Sequence, residues 1–165
     1  MSITIRQAGV GDAATILHFI TELARYEREP DAVETTVERL TAQLSEERPP
    51  FECLLAEVDG EPRGFALWFH NYSTWRGVRG VHLEDLFVPE QHRGQGIGKL
   101  LLATLARIAV ERGCARLEWQ VLDWNRPSIE FYEALGAQVM REWLPCRLDG
   151  AGLDSLASGG ASVVV

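Results

Sequence analysis

Hydrophobic residues recur along this chain with two periods, that of an α-helix and that of a β-strand. Between Asp12 and Tyr26 they recur every three to four positions, which predicts an amphipathic helix with Asp12 placed to cap it. The same spacing follows the glycine-rich stretch in mid-chain and stops at Gly113, the residue type expected just after a helix. A third helix is predicted from Asn125 to Gly136, because proline stands near its first turn and glycine at its end.

Segments in which apolar residues alternate with polar ones, or form short runs, predict strands. A turn at Asp59-Gly60 joins two of them into a hairpin. Thr35 and Glu38 form a possible capping box for one more short helix, which ends near Leu44. The order strand, two helices, three strands, helix, strand, helix, strand indicates an α/β fold, with a mixed sheet and helices on both faces. The predicted strands cover residues 3–5, 51–58, 64–72, 81–88, 115–122 and 137–148.

The length of the chain bounds its number of domains. With 165 residues, 46% of them hydrophobic, it can bury one substantial core. We therefore expect a single domain over residues 1–157, followed by a tail, residues 158–165, that is flexible or adds a short edge strand. The N-terminus has no basic-then-apolar leader, and the longest apolar run, near Leu100, is broken by Thr104 and Arg107. These features predict a cytoplasmic protein with no membrane partner.

Charge and residue usage exclude several classes of site. A net charge of -8 and a pI near 5.0 leave no basic stripe for nucleic acid; an acidic field favours a cationic substrate, although many proteins are acidic only for solubility. Cys53, Cys114 and Cys146 lie in or beside apolar segments and are expected as buried free thiols rather than as nucleophiles. The histidines show no metal-ligand spacing, so no metal is predicted.

The stretch from His82 to Val110 carries the strongest chemical signal. A predicted strand, V-H-L-E-D-L-F-V, leads into the loop R-G-Q-G-I-G and then into a long helix. Glycines in such a loop allow unusual dihedral angles, so that successive N–H groups can converge on a phosphate at the N-terminus of the helix. The stretch therefore predicts a site for a nucleotide-type ligand.

The glycine spacing distinguishes between kinds of phosphate loop. The Walker pattern fails because Lys99 is followed by Leu100, and because Arg93 stands where its first glycine is required. The dinucleotide fingerprint fails because it needs glycine at position 99 or 101, where lysine and leucine stand. What remains is Arg-x-x-Gly-x-Gly, which is similar to the coenzyme A pyrophosphate signature of the GCN5-related N-acetyltransferase (GNAT) family. A glycine-rich connection without a ligand is the alternative.

The resemblance to this family extends over nearly the whole chain, to about residue 156. The motifs resemble those of the diamine acetyltransferase subfamily, most of all its thialysine N-ε-acetyltransferase branch, in which Ser-Thr-Trp replaces an acidic residue of the spermidine/spermine enzymes. The resemblance implies the GNAT fold, a central, mostly antiparallel, twisted sheet in which two parallel strands splay apart. The motifs are Y-S-T-W at 72–75, L-E-D at 83–85, R-G-Q-G-I-G at 93–98, L-D-W-N at 122–125 and F-Y-E-A-L-G-A at 131–137.

The resemblance also implies acetyl-CoA as cosubstrate, held largely by the backbone. Free N–H and C=O groups at the end of a strand can pair with the amide-containing pantetheine arm as if it were another strand. A backbone N–H near the thioester would stabilise the developing oxyanion. The cofactor-binding residues that the resemblance implies are Phe87, Val88, Arg93, Gly94, Gln95, Gly96, Ile97, Gly98, Lys99, Asn125, Ser128 and Tyr132.

Tyr132 resembles the general acid of the family, which protonates the departing coenzyme A thiolate. A phenol with an ordinary pKa near 10 stays protonated at neutral pH and can donate its proton. The alternative is a helix tyrosine that packs with Phe131 against the sheet.

Glu84 resembles the base of the family, which acts through a water, since an ammonium substrate must lose a proton before it attacks. Adjacent strand residues point to opposite faces, so we expect only one of Glu84 and Asp85 to reach the cofactor's cavity, with Asp85 facing the helices on the other side. An ammonium-binding role for Glu84, without proton transfer, is an equal alternative.

Four further positions resemble the substrate contacts of the subfamily. An aromatic face beside a carboxylate suits an alkylammonium chain. For the two positions at the end of the first helix, an ordinary helix terminus is the alternative. The other tryptophans are expected in the core or in a dimer interface. The substrate-binding residues implied are Tyr26, Glu27, Ser73 and Trp75, with Glu84 as a fifth.

The sequence thus predicts an enzyme that transfers the acetyl group of acetyl-CoA to a primary amine of a small molecule, by direct attack in a ternary complex. The acceptor is expected to be of the thialysine, lysine-analogue or diamine type, and the resemblance implies a homodimer. Two alternatives stay open. One is an acetyltransferase that acts on a protein or peptide amine, and the other is a module that binds acetyl-CoA as a sensor without turnover.

Overall fold

The computed structural model describes residues 2–164, which form two compact units that meet in sequence between Leu122 and Asp123. The first unit contains β1 (Ile3–Gln7), α1 (Ala13–Tyr26), α2 (Val37–Leu44), β2 (Glu52–Val58), β3 (Glu61–Ser73), β4 (Val78–Phe87), α3 (Ile97–Glu111) and β5 (Leu117–Glu118). Short 3-10 turns precede α1, at Val10–Asp12, and α3, at Glu90–His92. The second unit contains α4 (Arg126–Ala134) and α5 (Gly150–Ala157).

The first unit is built on one five-stranded sheet in the order β1-β2-β3-β4-β5. The first four strands pair antiparallel in sequence order, and β4 pairs in parallel with β5. The parallel pairing covers only Val81 with Leu117 and His82 with Glu118. From Leu83 onward, β4 has no strand on its β5 side within the described residues. The predicted mixed, mostly antiparallel sheet with separating parallel strands is confirmed.

Helices cover both faces of this sheet, as predicted. On one face, α1 and α2 pack over alternate residues of β3, with Phe65, Leu67 and Ile16 in one buried cluster. Trp68 faces the opposite side, because successive strand residues alternate. There the guanidinium of Arg112, which caps the C-terminus of α3, lies 4.9 Å from the ring centroid of Trp68. Neighbouring residues of β3 therefore pack against different helix layers.

Two helix caps differ from the prediction. Asp12 stands at the N-cap of α1 but makes no capping bond, because its two carboxylate oxygens accept from the guanidinium of Arg6, each at 2.8 Å. Two charge-assisted hydrogen bonds are stronger than one to a backbone N–H. In α2, Thr36 rather than Thr35 is the cap, and its hydroxyl accepts the backbone N–H of Arg39 at 3.1 Å, so the predicted capping box of Thr35 and Glu38 does not form.

Three predicted turns and helix ends are confirmed by positive backbone φ angles. The hairpin between β2 and β3 turns at Asp59 and Gly60, with φ of 51° and 86°. Gly113 and Gly136, with φ of 68° and 90°, directly follow the C-caps of α3 and α4. Glycine reaches this left-handed region at little cost, so each of the two helices ends where the glycine stands.

Two predicted strands are wrong in extent or in kind. The strand predicted over residues 115–122 is reduced to Leu117–Glu118, because β4 offers only two pairing positions before the parallel strands separate. The strand predicted over residues 137–148 does not form, and the chain enters α5 instead. A strand needs a neighbour for its ladder of hydrogen bonds, and the described part of the second unit contains no strand. The described residues 160–164 of the tail carry neither helix nor strand.

The cysteines are free, but only one is buried as predicted. Cys53 lies in the α1 side of the core, and burial raises the pKa of its thiol. Cys114 is half-buried, and Cys146, which lies in the segment predicted as the last strand, is exposed. Within residues 2–164, no three His, Cys, Asp or Glu side chains are arranged so that they could hold one metal ion. The same residues contain no helix with the length and apolarity needed to cross a bilayer.

Candidate active site

The loop from Arg93 to α3 has the geometry of an anion cradle. Gly94 and Gly96 adopt φ of 75° and 83°, and Gly96 is the N-cap of α3. Glycine has no side-chain oxygen to cap the helix, and the first N–H groups of a helix lack partners within it. A Cβ at either glycine would meet no atom within 4 Å, so the space in front of the loop is open. Exposed N–H groups at a helix N-terminus fit a diphosphate.

The buried side chain of Ile97 anchors this loop against the sheet. Its side chain is 1% exposed on the α3 side, so it contributes to the core, and only its backbone can face a ligand. The side chains of Gln95 and Lys99 are exposed on either side of it. The loop therefore combines a buried anchor with an exposed backbone.

The end of β4 offers a second element of a cofactor site. Phe87 is the last residue of β4 and pairs with Phe65 of β3. Because β5 has already separated, the opposite edge of β4 near Phe87 has no strand partner within the described residues. An extended amide-containing chain could add to this edge. The carbonyl of the next residue, Val88, accepts a hydrogen bond from Nε of Arg93 at 2.9 Å.

A β-bulge at Glu84 changes the expected direction of two carboxylates. Leu83 lies opposite Trp68 and Asp85 lies opposite Leu67, so Glu84 is an extra residue without a partner on β3. Such a bulge reverses the alternation of side chains along the strand. Asp85 therefore shares the face of Leu67, the face covered by α1.

Glu84 also lies on this face. Its carboxylate is 3.3 Å from Nε2 of His82, which pairs with Phe69 and contacts the ring of that residue at a centroid distance of 5.0 Å. Phe69 and Leu67 are alternate residues of β3 and point to the same side. The prediction that Glu84 and Asp85 face opposite sides is wrong, because strict alternation fails at the bulge.

A third carboxylate completes an acidic cluster, which we define as Glu27, Glu84 and Asp85. Glu27 is the C-cap of α1, and burial raises the pKa of its carboxyl. Burial, together with the negative charges of Glu84 and Glu27, raises the pKa of Asp85 to about 7. Within the described residues, neither Glu27 nor Asp85 forms an ion pair. A cluster of this kind favours a positively charged ligand.

The side chain of Arg93 turns toward the end of α1 and the end of β4. Its guanidinium carbon lies 4.6 Å from the ring centroid of Tyr26, the last residue of α1, and 5.8 Å from that of Phe87. Tyr26 precedes Glu27, and Phe87 lies two residues beyond Asp85 on the same face. Arg93 therefore connects the anion cradle to the border of the acidic cluster.

Two predicted substrate residues lie elsewhere on the sheet. Ser73 is six residues beyond Leu67 along β3, which corresponds to roughly 20 Å. It is 6% exposed, and its hydroxyl accepts the N–H of Arg76 at 3.2 Å, so it stabilises the hairpin between β3 and β4. Trp75, in the same hairpin, is 92% exposed. Within one chain, neither residue lies near the acidic cluster.

Three predicted residues belong to the second unit. Asn125 is the N-cap of α4 and is 7% exposed, and its side-chain oxygen accepts the N–H of Ser128 at 3.4 Å. Proline at the start of α4 supports the same helix start. Tyr132 lies further along α4, half-buried, with its ring centroid 5.4 Å from that of Phe131. The two cap residues and the tyrosine therefore lie on one short helix, as predicted.

Sequence reasoning missed Asp85 and the direction of the Arg93 side chain. Neither carries a sequence signal of its own, because a bulge and a stacking contact depend on neighbouring elements. A groove of about 380 Å³ between α1 and the 3-10 turn includes His18, Arg63 and His92 among its lining residues, and none of the predicted site residues lines it. The candidate site therefore consists of the acidic cluster and the cradle, and this groove is not part of it.

Proteins of similar sequence identify the family of this chain. A sequence model described as the Acetyltransferase (GNAT) family matches residues 16–137. Thialysine N-epsilon-acetyltransferase of Bos taurus is 40% identical over 94% of this chain and 97% of its own length. L-ornithine N5-acetyltransferase of Arabidopsis thaliana is 47% identical over 56% of this chain and 41% of its own length.

A solved structure shows the same fold. An integron cassette protein from the mobile metagenome of V. cholerae superposes with a TM-score of 0.80, at 29% identity, covering 96% of this chain and 99% of the other. The family match extends from within α1 to the residue after the glycine that ends α4. It includes the acidic cluster and the cradle, which the fold places side by side. The chain is therefore an enzyme of the GNAT acetyltransferase family, in which acetyl-CoA is the acetyl donor.

Proposed function

We propose that this enzyme acetylates the terminal primary amine of a small molecule of the thialysine, lysine or diamine type. The acidic cluster is the observation that carries the proposal, because it brings together three carboxylates, and Glu27 and Asp85 form no ion pair within the described residues, which suits an alkylammonium group. The similar enzymes named for thialysine and L-ornithine support a small amine acceptor. Predicted roles for Ser73 and Trp75 in substrate binding would require the hairpin of another chain, given their distance along β3.

Backbone groups are sufficient for the proposed binding of acetyl-CoA. When bound, this cosubstrate supplies an acetyl group activated as a thioester. Residues 93–99 would hold the pyrophosphate, largely through N–H groups, and Phe87 and Val88 would pair with the pantetheine arm. Asn125 and Ser128 are proposed to line its edge. The open cradle and the free edge of β4 support this assignment, since both present unpaired polar backbone.

The positive φ of Gly96 provides a test of the cradle. Gly96→Ala should lower the free energy of unfolding by about 1 kcal/mol, since an L residue is strained in the left-handed region. It should also raise the Kd for acetyl-CoA by roughly tenfold, because the N–H groups shift. Titration calorimetry measures the Kd, and chemical unfolding measures the stability.

Gly113→Ala is the matched control, since Gly113 has a φ of 68° at the other end of α3 and likewise meets no neighbour at its Cβ position. It should cost similar stability and leave the Kd unchanged. Equal changes in Kd for both variants would show that the loop is not the phosphate site.

Two side chains are proposed for proton transfer. Glu84, through a water, would take a proton from the ammonium group so that the amine can attack. Tyr132 would donate its phenolic proton to the sulfur that leaves. Both roles rest on the family resemblance, and the position of Glu84 in the acidic cluster supports the first.

A pH profile separates the two roles of Glu84. If Glu84 is the base, Glu84→Gln should lower kcat/KM most at low pH, by about tenfold to a hundredfold at pH 6, because the amine is most fully protonated there. Steady-state rates from pH 6 to pH 9.5 provide the profile. Glu61→Gln, at the exposed start of β3, removes the same charge and should not alter it. An equal loss at all pH values would assign Glu84 to ammonium binding only.

Two other functions make different predictions. A sensor would be stabilised by acetyl-CoA in a thermal shift assay but would release no coenzyme A with any amine, whereas the proposed enzyme shows both stabilisation and amine-dependent release. Stabilisation by NAD or ATP, with none by acetyl-CoA, would reject the cofactor. A protein or peptide acetyltransferase would acetylate a lysine-containing peptide in preference to free amines.

The cytoplasmic location and the homodimer are proposed on the family resemblance. Light scattering coupled to size exclusion gives the mass in solution, with the 18.4 kDa chain as the monomer reference. A monomer at micromolar concentration that still turns over would remove the need for a second chain.

A further inference from the structure

A basic groove lies beside α1, apart from the acidic cluster and the cradle. We define it by His18 of α1, Arg63 of β3 and His92 of the 3-10 turn before α3, which line one open space of about 380 Å³. Among the described residues no carboxylate lines this space, although the chain has a net charge of -8. The volume is within the range of small-molecule sites in proteins. The groove therefore has the size and the charge of a site for a small anion.

A second β-bulge in the sheet brings Arg63 to the groove. Ala56 lies opposite Gly64 and Glu57 lies opposite Pro62, so Arg63 is an extra residue without a partner on β2. Strict alternation would place Pro62 and Arg63 on opposite faces of the sheet, but both line the groove. Bulges are frequent beside functional sites, where they redirect a side chain.

The three basic side chains that define the groove lack polar partners. Within the described residues, none of them forms an ion pair or a side-chain hydrogen bond. Arg63 and His92 are half-buried, and His18 is exposed. The carboxylates nearest in sequence, Glu61 and Glu90, are exposed and do not line the groove. Partial burial of an unpaired guanidinium is unfavourable, so the groove favours an anionic ligand.

The turn that carries His92 is held in place by the protein itself. The backbone N–H of His92 donates to the carbonyl of Pro89 at 2.9 Å, and the N–H of Arg93 donates to that of Glu90 at 3.1 Å. Pro89 and Pro62 also line the groove, and proline restricts the backbone. A ligand would therefore cost little conformational entropy in ordering this side of the groove.

We propose that the basic groove binds a phosphate monoester, as a second anion site beside the cradle. A phosphate monoester has three terminal oxygens, one for each of three side chains that come from three elements of the fold. A carboxylate would be satisfied by the guanidinium fork of Arg63 alone and would leave both imidazoles without an acceptor. Two prolines and the buried ring of Phe19 provide apolar walls for the organic part of the ester.

A ligand in this groove should alter the affinity of the cradle. His92 directly precedes Arg93, so an ester bound to His92 contacts the turn that leads into the loop. By linkage, the ester and acetyl-CoA must change each other's Kd by the same factor. Both ligands are anions, so each should raise the Kd of the other a few-fold and reach a plateau. This inference goes beyond the proposed function, because it does not involve the amine acceptor.

The test uses protein saturated with coenzyme A, so that the cradle is already occupied. Phenyl phosphate, benzoate and inorganic phosphate are titrated into it by calorimetry, and phenyl phosphate should have the lowest Kd of the three. Arg63→Gln should raise the Kd for phenyl phosphate by roughly tenfold, since a charge-assisted bidentate contact is lost. His92→Gln, which leaves the bulge intact, should raise it as well. Thermal unfolding checks that both variants fold.

Arg79→Gln is the matched control, because it removes the same charge from an exposed strand position at the other end of the sheet. Its Kd for phenyl phosphate should equal that of the unmodified protein. Equal effects of Arg63→Gln and Arg79→Gln, or equal binding of phenyl phosphate and benzoate, would overturn the proposal. An apparent Kd that rises without limit as coenzyme A is added would assign the groove to the coenzyme and overturn it too. Without an amine present, these results are independent of the proposed function.

Discussion

Replacing Tyr132 with phenylalanine is expected to lower kcat by about a hundredfold, because a positioned general acid contributes roughly that factor. The departing thiolate would then leave without a proton. The change removes a single hydroxyl from α4 and keeps the aromatic ring that contacts Phe131. Acetyl-CoA should therefore bind with nearly the same Kd, and the fold should be retained.

Tyr72→Phe is the matched control for this prediction. Tyr72 is 64% exposed on β3, and loss of its hydroxyl should leave kcat unchanged. Single-turnover rates give the chemical step directly, and calorimetry gives the Kd for acetyl-CoA. Unchanged turnover in Tyr132→Phe would remove Tyr132 as the acid and leave it as a packing residue of α4.

Replacing Asp85 with asparagine is expected to lower activity and raise stability. The change removes a carboxylate of the acidic cluster that is proposed to bind the ammonium group, so kcat/KM should fall by about a hundredfold, mostly through KM. The same change removes a charge that the fold holds beside Glu27 and Glu84. At pH 8 the apo protein should gain on the order of 2 kcal/mol in the free energy of unfolding, which is roughly 5 °C in Tm.

The pH dependence of this gain follows from the direction of the pKa shift. Asp85 has a pKa of about 7 when folded, above its ordinary value near 3.8. Between these values the folded state holds more protons than the unfolded state, so Asp85 lowers stability as pH rises from about 4 to about 7. Asparagine does not titrate. The difference between variant and unmodified protein should therefore grow over this range and stay constant above it.

Chemical unfolding at several pH values, without ligands, tests the prediction. Asp31→Asn removes an exposed carboxylate from the loop after α1 and should change neither Tm nor its pH dependence. If Asp85→Asn is less stable than the unmodified protein at pH 8, Asp85 holds the structure together and the acidic cluster is not a strained site. If its activity is unchanged, the ammonium binds elsewhere.

The same ionisation should appear in catalysis. Asp85 must lose its proton to bind an ammonium group, so kcat/KM should rise from pH 6 to pH 8 in the unmodified enzyme. This rise should be smaller in Asp85→Asn. Stability and activity thus change in opposite directions over the same pH range. This is expected where a residue of a binding site destabilises the folded state.

The sequence was sufficient to predict the parts of the site that depend on local chemistry. Gly94 and Gly96 adopt the dihedral angles for which glycine is required, and the helix that follows starts where the loop ends. The cap of α4 by Asn125 was likewise readable from the Asn-Arg-Pro start of that helix. Each of these features depends on a few neighbouring residues, so tertiary contacts did not override it.

The sequence was not sufficient where geometry depends on a neighbouring strand. The bulge at Glu84 arises from the pairing of β4 with β3, and nothing in L-E-D marks the middle residue as unpaired. Strict alternation therefore placed Glu84 and Asp85 on opposite faces, which is wrong. The strand predicted over residues 137–148 failed for a related reason, because an alternating pattern indicates a strand only where a partner strand exists.

The most direct test of the account is the fate of an isotope-labelled acetyl group. The enzyme is incubated with acetyl-CoA labelled with ¹³C in the acetyl group and with an equimolar mixture of thialysine, lysine, putrescine, spermidine and a lysine-containing peptide, and the products are located by mass spectrometry. The account predicts the label on the terminal nitrogen of a small amine. Label on the peptide alone, or in free acetate with no acetylated amine, would contradict it.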